Sequence, residues 1–232
     1  MPFRGFDNSL LYQGLLFSLP FEEGAGTIRT QDVAKPHHPM SLVHAPVWTT
    51  LASGLQVLEF DGANDYIECA SADCVDLDFT AGDFSFACWC YFDDLGASRM
   101  ILGRYQLDVS GWEFYGYGTY LSLRASHGGV PVRTSAAGSG LVTLAWLLLG
   151  LSRSGGYPLM YLNGRQMPMV YDPAGGITDP AACGQDLVIG TRFTKDSNYF
   201  DGKMWNPRIW GRRLESWEQM EIFNRERVLL GV

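Results

Sequence analysis

Residues 159–167 read Leu-Met-Tyr-Leu-Asn-Gly-Arg-Gln-Met, two short apolar runs joined by an Asn-Gly pair. Asn and Gly both accept the positive φ that a type I′ turn requires, so this stretch predicts a β-hairpin with a well-fixed register. Residues 84–90 read Phe-Ser-Phe-Ala-Cys-Trp-Cys, and period-2 alternation on a strand directs Phe84, Phe86 and Cys88 toward a core. Both stretches indicate antiparallel β-structure.

Similar runs recur along the chain, with turn residues such as Asp61-Gly62, Gly175-Gly176 and Asp201-Gly202 between them. Short β-branched, aromatic or alternating runs bounded by such turns are typical of strands. About a dozen strands joined by short turns predict an all-β protein of two packed antiparallel sheets. The predicted strands are 15–21, 56–60, 66–69, 84–92, 99–105, 111–115, 120–125, 130–135, 144–153, 159–162, 186–191 and 203–210.

One helix is predicted near the C-terminus, over residues 214–227. Ser216 and Gln219 have capping-box spacing, and apolar residues recur from Trp217 at helical spacing. Residues 1–13 are expected to form an N-terminal arm. Residues 27–50 contain three prolines and little periodicity, which predicts a long surface excursion. The 232 residues show no internal repeat, so we expect a single domain over 1–232.

Composition limits the classes of function. The hydrophobic fraction of 47% with only 18% charged residues excludes a disordered chain. The net charge of -8 has the wrong sign for capturing a phosphate backbone, so nucleic acid is not an expected partner. The longest apolar stretch, 141–151, is shorter than the roughly 20 residues that span a membrane. Residues 1–8 contain no signal peptide, which predicts cytoplasmic synthesis and then incorporation into a virus particle or release by lysis.

The chain has five cysteines, an odd number that excludes a complete disulfide framework. Cys88 and Cys90 are two residues apart in an apolar run and therefore share one face of a strand. Side chains in that arrangement do not reach normal disulfide geometry, so both are predicted to be reduced and buried. A loop disulfide between Cys69 and Cys74 is the remaining alternative.

Several segments occur in a fixed order that spans most of the chain. They are 15–26, with an acidic Gly-rich turn; 58–68, with Phe-Asp-Gly and Asp-Tyr; 84–90, with a central Trp; 144–153, with Trp146; 159–164, with Tyr-Leu-Asn-Gly; and 187–190, 200–202 and 208–214 in the closing part. In this order they resemble the concanavalin A-like lectin/glucanase superfamily, in particular its laminin G-like branch. The resemblance implies a jelly-roll sandwich.

Two positions depart from the pattern of that family. Leu147 and Leu148 stand after Trp146 where relatives often have histidine, and Met-Trp-Asn-Pro at 204–207 replaces an acidic pair. The resemblance also implies a structural calcium between the opening acidic turn and the last strand, for which Glu22 or Glu23 with Asp201 would supply oxygens. No other cofactor is expected.

Glucanases of the superfamily carry their catalytic carboxylates on one strand. Those carboxylates follow an E-x-D-x-(x)-E pattern, and Glu59-Phe-Asp61 is its only near match in this chain. The chain then turns at Gly62-Ala63-Asn64, before a second Glu could complete the pattern. A retaining mechanism needs two carboxyl groups roughly 5 Å apart, so a turn is the better interpretation of this motif. His37 and His38 are adjacent, and a zinc site would need a bent loop and a third ligand such as His44.

The remaining candidate is a binding face. In the strand 111–115, Trp112 and Phe114 point to one side while Glu113 and Tyr115 point to the other. Exposed aromatic rings can stack on sugar rings, so Glu113, Tyr115 and Tyr117 are the candidate ligand-binding residues. A lone Glu113 has no partner carboxylate for hydrolysis.

We therefore predict a non-enzymatic module that recognises a glycan or a protein surface. One alternative is a structural or assembly protein, such as a virus-particle accessory or decoration protein, working as a homo-oligomer or in a larger assembly. A second is a glycan-cleaving enzyme of the same superfamily.

Overall fold

The computed structural model describes residues 10–129, 132–135, 138, 140–171 and 177–232, and strands dominate this part of the chain. In chain order they are β1 (Leu15–Ser18), β2 (Arg29–Gln31), β3 (Pro39–Val43), β4 (Val47–Thr50), β5 (Gln56–Asp61), β6 (Tyr66–Cys69), β7 (Phe84–Phe92), β8 (Arg99–Gln106), β9 (Ser110–Tyr117), β10 (Tyr120–His127), β11 (Val132–Ser135), β12 (Trp146–Arg153), β13 (Leu159–Leu162), β14 (Arg165–Gln166), β15 (Met169–Tyr171), β16 (Leu187–Ile189) and β17 (Asp201–Trp210). The helix α1 (Ser216–Glu226) follows them.

Among the described residues these strands form two antiparallel sheets. The eight-stranded sheet has the order β14-β13-β12-β7-β17-β5-β4, with β1 also paired to β17. The nine-stranded sheet has the order β15-β11-β10-β9-β8-β16-β6-β3-β2. The predicted jelly-roll sandwich with one short C-terminal helix is therefore confirmed.

The core lies between the two sheets. Phe84, Phe86 and Cys88 on β7 are fully buried, as their alternation predicts. The Phe86 ring meets Trp112 and Phe114 on β9, with ring centroids 4.5 Å and 6.0 Å apart. Inward residues of both sheets thus interdigitate, as they do in packed sandwiches.

The other face of β7 is covered by α1. Trp89 stacks on Phe223 of the helix with centroids 5.8 Å apart. The N-cap lies one residue before the predicted one: it is Glu215, whose backbone N–H donates to the Glu218 carboxylate at 2.8 Å, and the helix itself begins at Ser216. Ser216 does not cap the helix because its hydroxyl pairs with the hydroxyl of Tyr161 at 3.0 Å.

The hairpin at 159–167 forms as predicted. Leu162 pairs with Arg165, so the loop contains only Asn163 and Gly164, with φ of 51° and 75°. Positive φ at both loop residues is the signature of the type I′ turn.

The predicted surface excursion over 27–50 is wrong, because this segment contributes β2, β3 and β4. Strands β2 and β4 are the terminal strands of the nine-stranded and eight-stranded sheets, respectively. Their burial patterns contain at most one buried residue each, so they show little of the periodicity by which strands are recognised. Edge strands of this length are common in natural sheets.

The chain ends and the cysteines can be placed in part. Leu10–Tyr12 forms a 3₁₀ turn, and the Trp210 indole N–H donates to the Leu11 carbonyl at 2.7 Å. Residues 1–9 of the predicted arm, residues 130–131 of the predicted strand 130–135, and the turn at Gly175-Gly176 lie outside the described residues.

All five cysteines are buried and free, so the alternative disulfide between Cys69 and Cys74 is not formed. No helix in the described part of the chain is long and apolar enough to span a membrane.

Candidate functional site

The predicted ligand face lies on the outer side of the nine-stranded sheet, opposite the core. Trp112 and Phe114 are fully buried in the core, so the predicted direction of each β9 side chain is correct. The predicted exposure is wrong for two of the three candidates: Glu113 is 4% exposed and Tyr115 is 9% exposed. Tyr117, at the end of β9, is 51% exposed.

Neighbouring strands explain the burial of Glu113. It pairs in register with Gly103 on β8 and Arg124 on β10. Gly103 leaves space for it, since an added Cβ there would lie 2.8 Å from the Glu113 Cβ. Arg124 donates from Nη1 to Glu113 Oε1 at 2.5 Å and from Nη2 to the Tyr115 hydroxyl at 3.3 Å.

Glu113, Arg124, Tyr105 and Tyr115 form an ionic and aromatic cluster, which we call the Glu113 cluster. Burial raises the pKa of Glu113, and the charges of Arg124 and Arg192 oppose that rise. The Arg124 guanidinium also lies over the rings of Tyr105 and Tyr115, 5.8 Å and 5.3 Å from their centroids. Because the Glu113 carboxylate is already paired with Arg124, we interpret the cluster as a structural part of the sheet.

The proposed calcium ligands have other partners. Glu23 accepts hydrogen bonds from the Thr30 hydroxyl at 3.2 Å and the Gln31 backbone at 2.5 Å. Asp201 faces Arg99 at 3.4 Å, and Glu22 lines a groove beside Asn206. In the described ranges no group of three or more His, Cys, Asp or Glu side chains is placed to hold a metal. Calcium binding by Glu22, Glu23 and Asp201 stays a prediction.

The near match to a glucanase motif has the geometry of a turn. The Asp61 carboxylate accepts the backbone N–H groups of Ala63, Asn64 and Asp65 at 2.8, 3.0 and 3.2 Å. Glu59 accepts the Thr49 hydroxyl at 2.8 Å and lies 3.2 Å from the Lys203 ammonium. Both carboxylates therefore have structural partners on or beside β5.

A groove lies between β17, β1 and the C-terminal helix. We call it the C-terminal groove; its volume is about 550 Å³, within the range of small-molecule sites. Its rim is accessible, because Tyr12, Val33 and Leu229 are 50%, 55% and 40% exposed. The lining residues used below are Glu22, Trp205, Asn206, Arg208, Trp210, Arg225 and Glu226.

Two tryptophans line the groove with fixed orientations. Trp205 donates its indole N–H to the Pro20 carbonyl at 2.9 Å, and Trp210 donates to the Leu11 carbonyl at 2.7 Å. Trp89, which is not part of the groove lining, donates its indole N–H to the Glu226 carboxylate at 2.7 Å. The Trp205 and Trp210 rings are nearly fully buried, at 6% and 1% exposed, so they form part of the groove wall and present little free ring surface to a ligand.

The polar part of the groove is the pair of Arg208 and Glu226. Arg208 Nη1 and Nη2 each donate to one Glu226 carboxylate oxygen at 2.7 Å, which is a bidentate pair. Arg208 Nε is buried and has no hydrogen-bond partner among the described residues. Arg124 Nε and Arg153 Nε are buried without a partner in the same way, so this N–H does not distinguish the groove from the rest of the described molecule.

Asn206 marks a β-bulge in β17. The register with β7 shifts between Trp205 and Arg208, and Asn206 adopts a φ of 51°. Its side-chain oxygen accepts the Ser18 hydroxyl at 3.1 Å. Bulges re-aim side chains, and here the bulge lies between the two tryptophans of the groove. The only sequence signal for this site is the departure from the family pattern at 204–207; the partners from β1 and α1 are distant in sequence.

A second polar centre was not anticipated from the sequence. His38 is buried between two carboxylates, with Nδ1 at 2.6 Å from Asp32 and Nε2 at 3.0 Å from Asp76. Asp32 also accepts the backbone N–H groups of Ser18, Ala34 and His38. Burial lowers the pKa of His38, but the hydrogen bonds to Asp32 and Asp76 raise it by more, so the net shift is upward.

The raised pKa of His38 predicts a stability that falls as the pH rises. The clamp of Asp32, His38 and Asp76 contributes fully below the unfolded-state pKa of about 6.5 and is lost as the pH rises through the higher folded-state value. We expect the stability difference between wild type and His38→Gln, from urea unfolding, to shrink as the pH rises above the unfolded-state pKa of about 6.5. His127→Gln, at an exposed position, is the control. A difference that grows with pH would contradict the assignment.

Solved structures with a similar fold include toxin binding domains. The binding domain of Paraclostridial Mosquitocidal Protein 1 matches with a TM-score of 0.68 and 15% identity, over 93% of this chain and 53% of that one. The receptor binding domain of botulinum neurotoxin C/D mosaic serotype matches with a TM-score of 0.68 and 12% identity, over 93% and 52%. The botulinum neurotoxin serotype G binding domain has a TM-score of 0.67 and 14% identity, over 90% and 50%. The chain therefore spans about half the length of these domains, and the likeness is one of fold.

Sequence comparison identifies the family. No protein with a curated function matches the chain. A laminin G-type family model, described as the concanavalin A-like lectin/glucanases superfamily, matches residues 61–218, which is more than half of the chain. The matched part contains the core strand β7, the hairpin at Asn163-Gly164 and the bulged strand β17. The chain belongs to the concanavalin A-like lectin/glucanase superfamily.

Proposed function

We propose that this protein is a non-enzymatic recognition module that binds a glycan in the C-terminal groove. The observation that carries the proposal is the groove itself, about 550 Å³ in volume, whose wall holds a bidentate Arg208–Glu226 pair, the bulge at Asn206 and the exposed Arg225. An apolar wall with a few polar groups that fix a ligand's orientation is a combination suited to sugars. The fold of toxin receptor-binding domains supports a binding role.

The absence of enzymatic activity is part of the proposal. Glu226 accepts three hydrogen bonds, two from Arg208 and one from Trp89, so it is not available as an acid or base. Glu59 and Glu113 are likewise held by cations. We expect no reducing sugar to be released from a polysaccharide panel. Release that is lost in Glu59→Gln would establish the enzyme alternative instead.

Glycan-array binding with matched variants tests the site. Arg225→Ala changes an exposed residue of the groove, so we expect affinity for the best array glycan to fall at least about tenfold with little change in Tm. Arg165→Ala, at an exposed hairpin residue, and Tyr117→Ala, on the face first predicted, should bind like wild type. Loss of binding in Tyr117→Ala alone would move the site to the nine-stranded sheet.

A protein partner or an assembly role gives a different pattern. Binding to a surface that is lost after protease treatment, together with no signal on the glycan array, would favour a protein ligand. A stable oligomer in light scattering would favour the alternative of a virus-particle accessory or decoration protein.

A further inference from the structure

Three cysteines lie around one buried arginine, away from the C-terminal groove. Cys69 ends β6, Cys74 lies between the 3₁₀ turns Ser71–Asp73 and Val75–Leu77, and Cys183 lies ahead of β16. Arg104 on β8 is 1% exposed and connects them. The proposed glycan site does not use this cation.

Arg104 binds the sulfur of Cys74 directly. Its Nη1 lies 2.6 Å from Cys74 Sγ and 2.9 Å from the Ser71 carbonyl, and its Nε donates to Asp78 at 2.7 Å. Nη2 donates to the Cys183 carbonyl. A guanidinium held against a sulfur atom favours the thiolate, which is the reactive form of cysteine.

The sulfur of Cys69 lies close to that of Cys74. The two thiols share a side-chain hydrogen bond, and both sulfurs lie near the Ala70 carbonyl oxygen, at 3.7 Å and 3.3 Å. The turn Ser71–Asp73 brings the two side chains together across five residues of chain. The hydrogen bond with Cys69 and the charge of Arg104 lower the pKa of Cys74 to about 7 against the effect of burial, whereas the pKa of Cys69 is raised.

Cys69 and Cys74 are buried, so a reagent reaches them only through local opening beside a neighbouring cleft. A cleft of about 310 Å³ is lined by Ser71, Val75, Arg104 and Cys183. Val75, next to Cys74, is 60% exposed. Cys74 lies between two short 3₁₀ turns, and local opening of such a segment costs less than global unfolding.

We propose that Cys69 and Cys74 form an oxidation-sensitive dithiol in which Cys74 is the attacking thiolate and Cys69 closes the disulfide. The oxidant in this scheme is diamide, a diazene that contains an N=N bond. The Cys74 thiolate adds to that bond. The Cys69 sulfur then attacks Cys74 Sγ, a disulfide forms, and the S–N bond breaks. The diazene accepts two electrons and the two thiol protons and leaves as the hydrazine.

The test is oxidation of the folded protein by diamide, followed by alkylation in denaturant and peptide mapping. We expect one disulfide, between Cys69 and Cys74, with Cys88, Cys90 and Cys183 recovered as alkylated thiols. The Cys88–Cys90 pair is an internal control, since its sulfurs lie 3.7 Å apart on one strand but contact no cation among the described residues. The oxidation rate should be half-maximal near pH 7, below the ordinary thiol value of about 8.5.

Variants separate the roles of the two thiols. Cys74→Ser should abolish the disulfide, Cys69→Ser should leave a diamide adduct on Cys74, and Cys183→Ser should react like wild type. Circular dichroism checks that each variant folds; if Cys74→Ser does not, the wild-type peptide map decides. The proposal is overturned if the native protein forms no Cys69–Cys74 disulfide, or if Cys183 or Cys88 is the oxidised partner.

Discussion

Replacing Gly202 by Ala is expected to prevent stable folding. Gly202 lies on β17 between β5 and β7, paired with Phe60 and Phe92, and its φ is 132°, where side chains are strongly disfavoured. An added Cβ would lie 1.9 Å from the Tyr91 carbonyl oxygen, which is fixed in the sheet. The strand must shift or its pairing must break, at a cost of more than about 4 kcal/mol, a large share of a typical domain stability.

The measurement is urea unfolding of soluble protein, or the soluble fraction on expression. Gly184→Ala is the matched control, because an added Cβ there meets nothing within 4 Å and its φ is not positive. We expect the control to remain within about 0.5 kcal/mol of wild type. A Gly202→Ala protein as stable as the control would show that the central strands are not paired as described.

Replacing Asp32 by Ala should cause the second large loss of stability. Asp32 is 4% exposed and accepts four hydrogen bonds, from the backbone of Ser18, Ala34 and His38 and from the His38 ring. Removing it leaves these buried donors without an acceptor, and breaking a buried ion pair from one side costs about 3–5 kcal/mol. Asp73→Ala, at an exposed position, should be close to neutral.

Urea unfolding at pH 6 measures the Asp32 effect, since the His38 clamp contributes most when the histidine is protonated. A loss below about 1 kcal/mol would mean that water replaces the lost acceptors and that the segment around His38 is not held as tightly as its geometry implies.

The sequence predicts the fold better than the site. The fold follows from patterns among neighbouring residues, whereas the site depends on contacts between residues that are far apart in the sequence. The inward residues of β7 and the turn at Asn163-Gly164 follow from period-2 alternation and from local backbone chemistry. The strands β2 and β4 have few inward residues, so that signal is weak within 27–50. Glu113 was predicted on the correct face, but its burial depends on Gly103 and Arg124 from neighbouring strands.

The C-terminal groove could not be predicted for the same reason. Trp205, Arg208 and Glu226 come together only after β17 has paired in the sheet and α1 has packed against it. Nothing in local spacing indicates that Arg208 would pair with a residue in the helix. The Asp32–His38–Asp76 clamp likewise depends on two segments that are distant in sequence.

Site mapping by NMR tests the central claim most directly, using the seven tryptophan indole N–H signals as reporters. On titration with the strongest glycan from the array, the signals of Trp205 and Trp210 should shift, because both rings line the groove. The signals of Trp112, in the core, and Trp217, exposed on the outer side of α1, should not move. Saturating shifts at the two groove tryptophans would support the proposed site. Shifts confined to residues outside the groove, or no glycan binding at all, would contradict it.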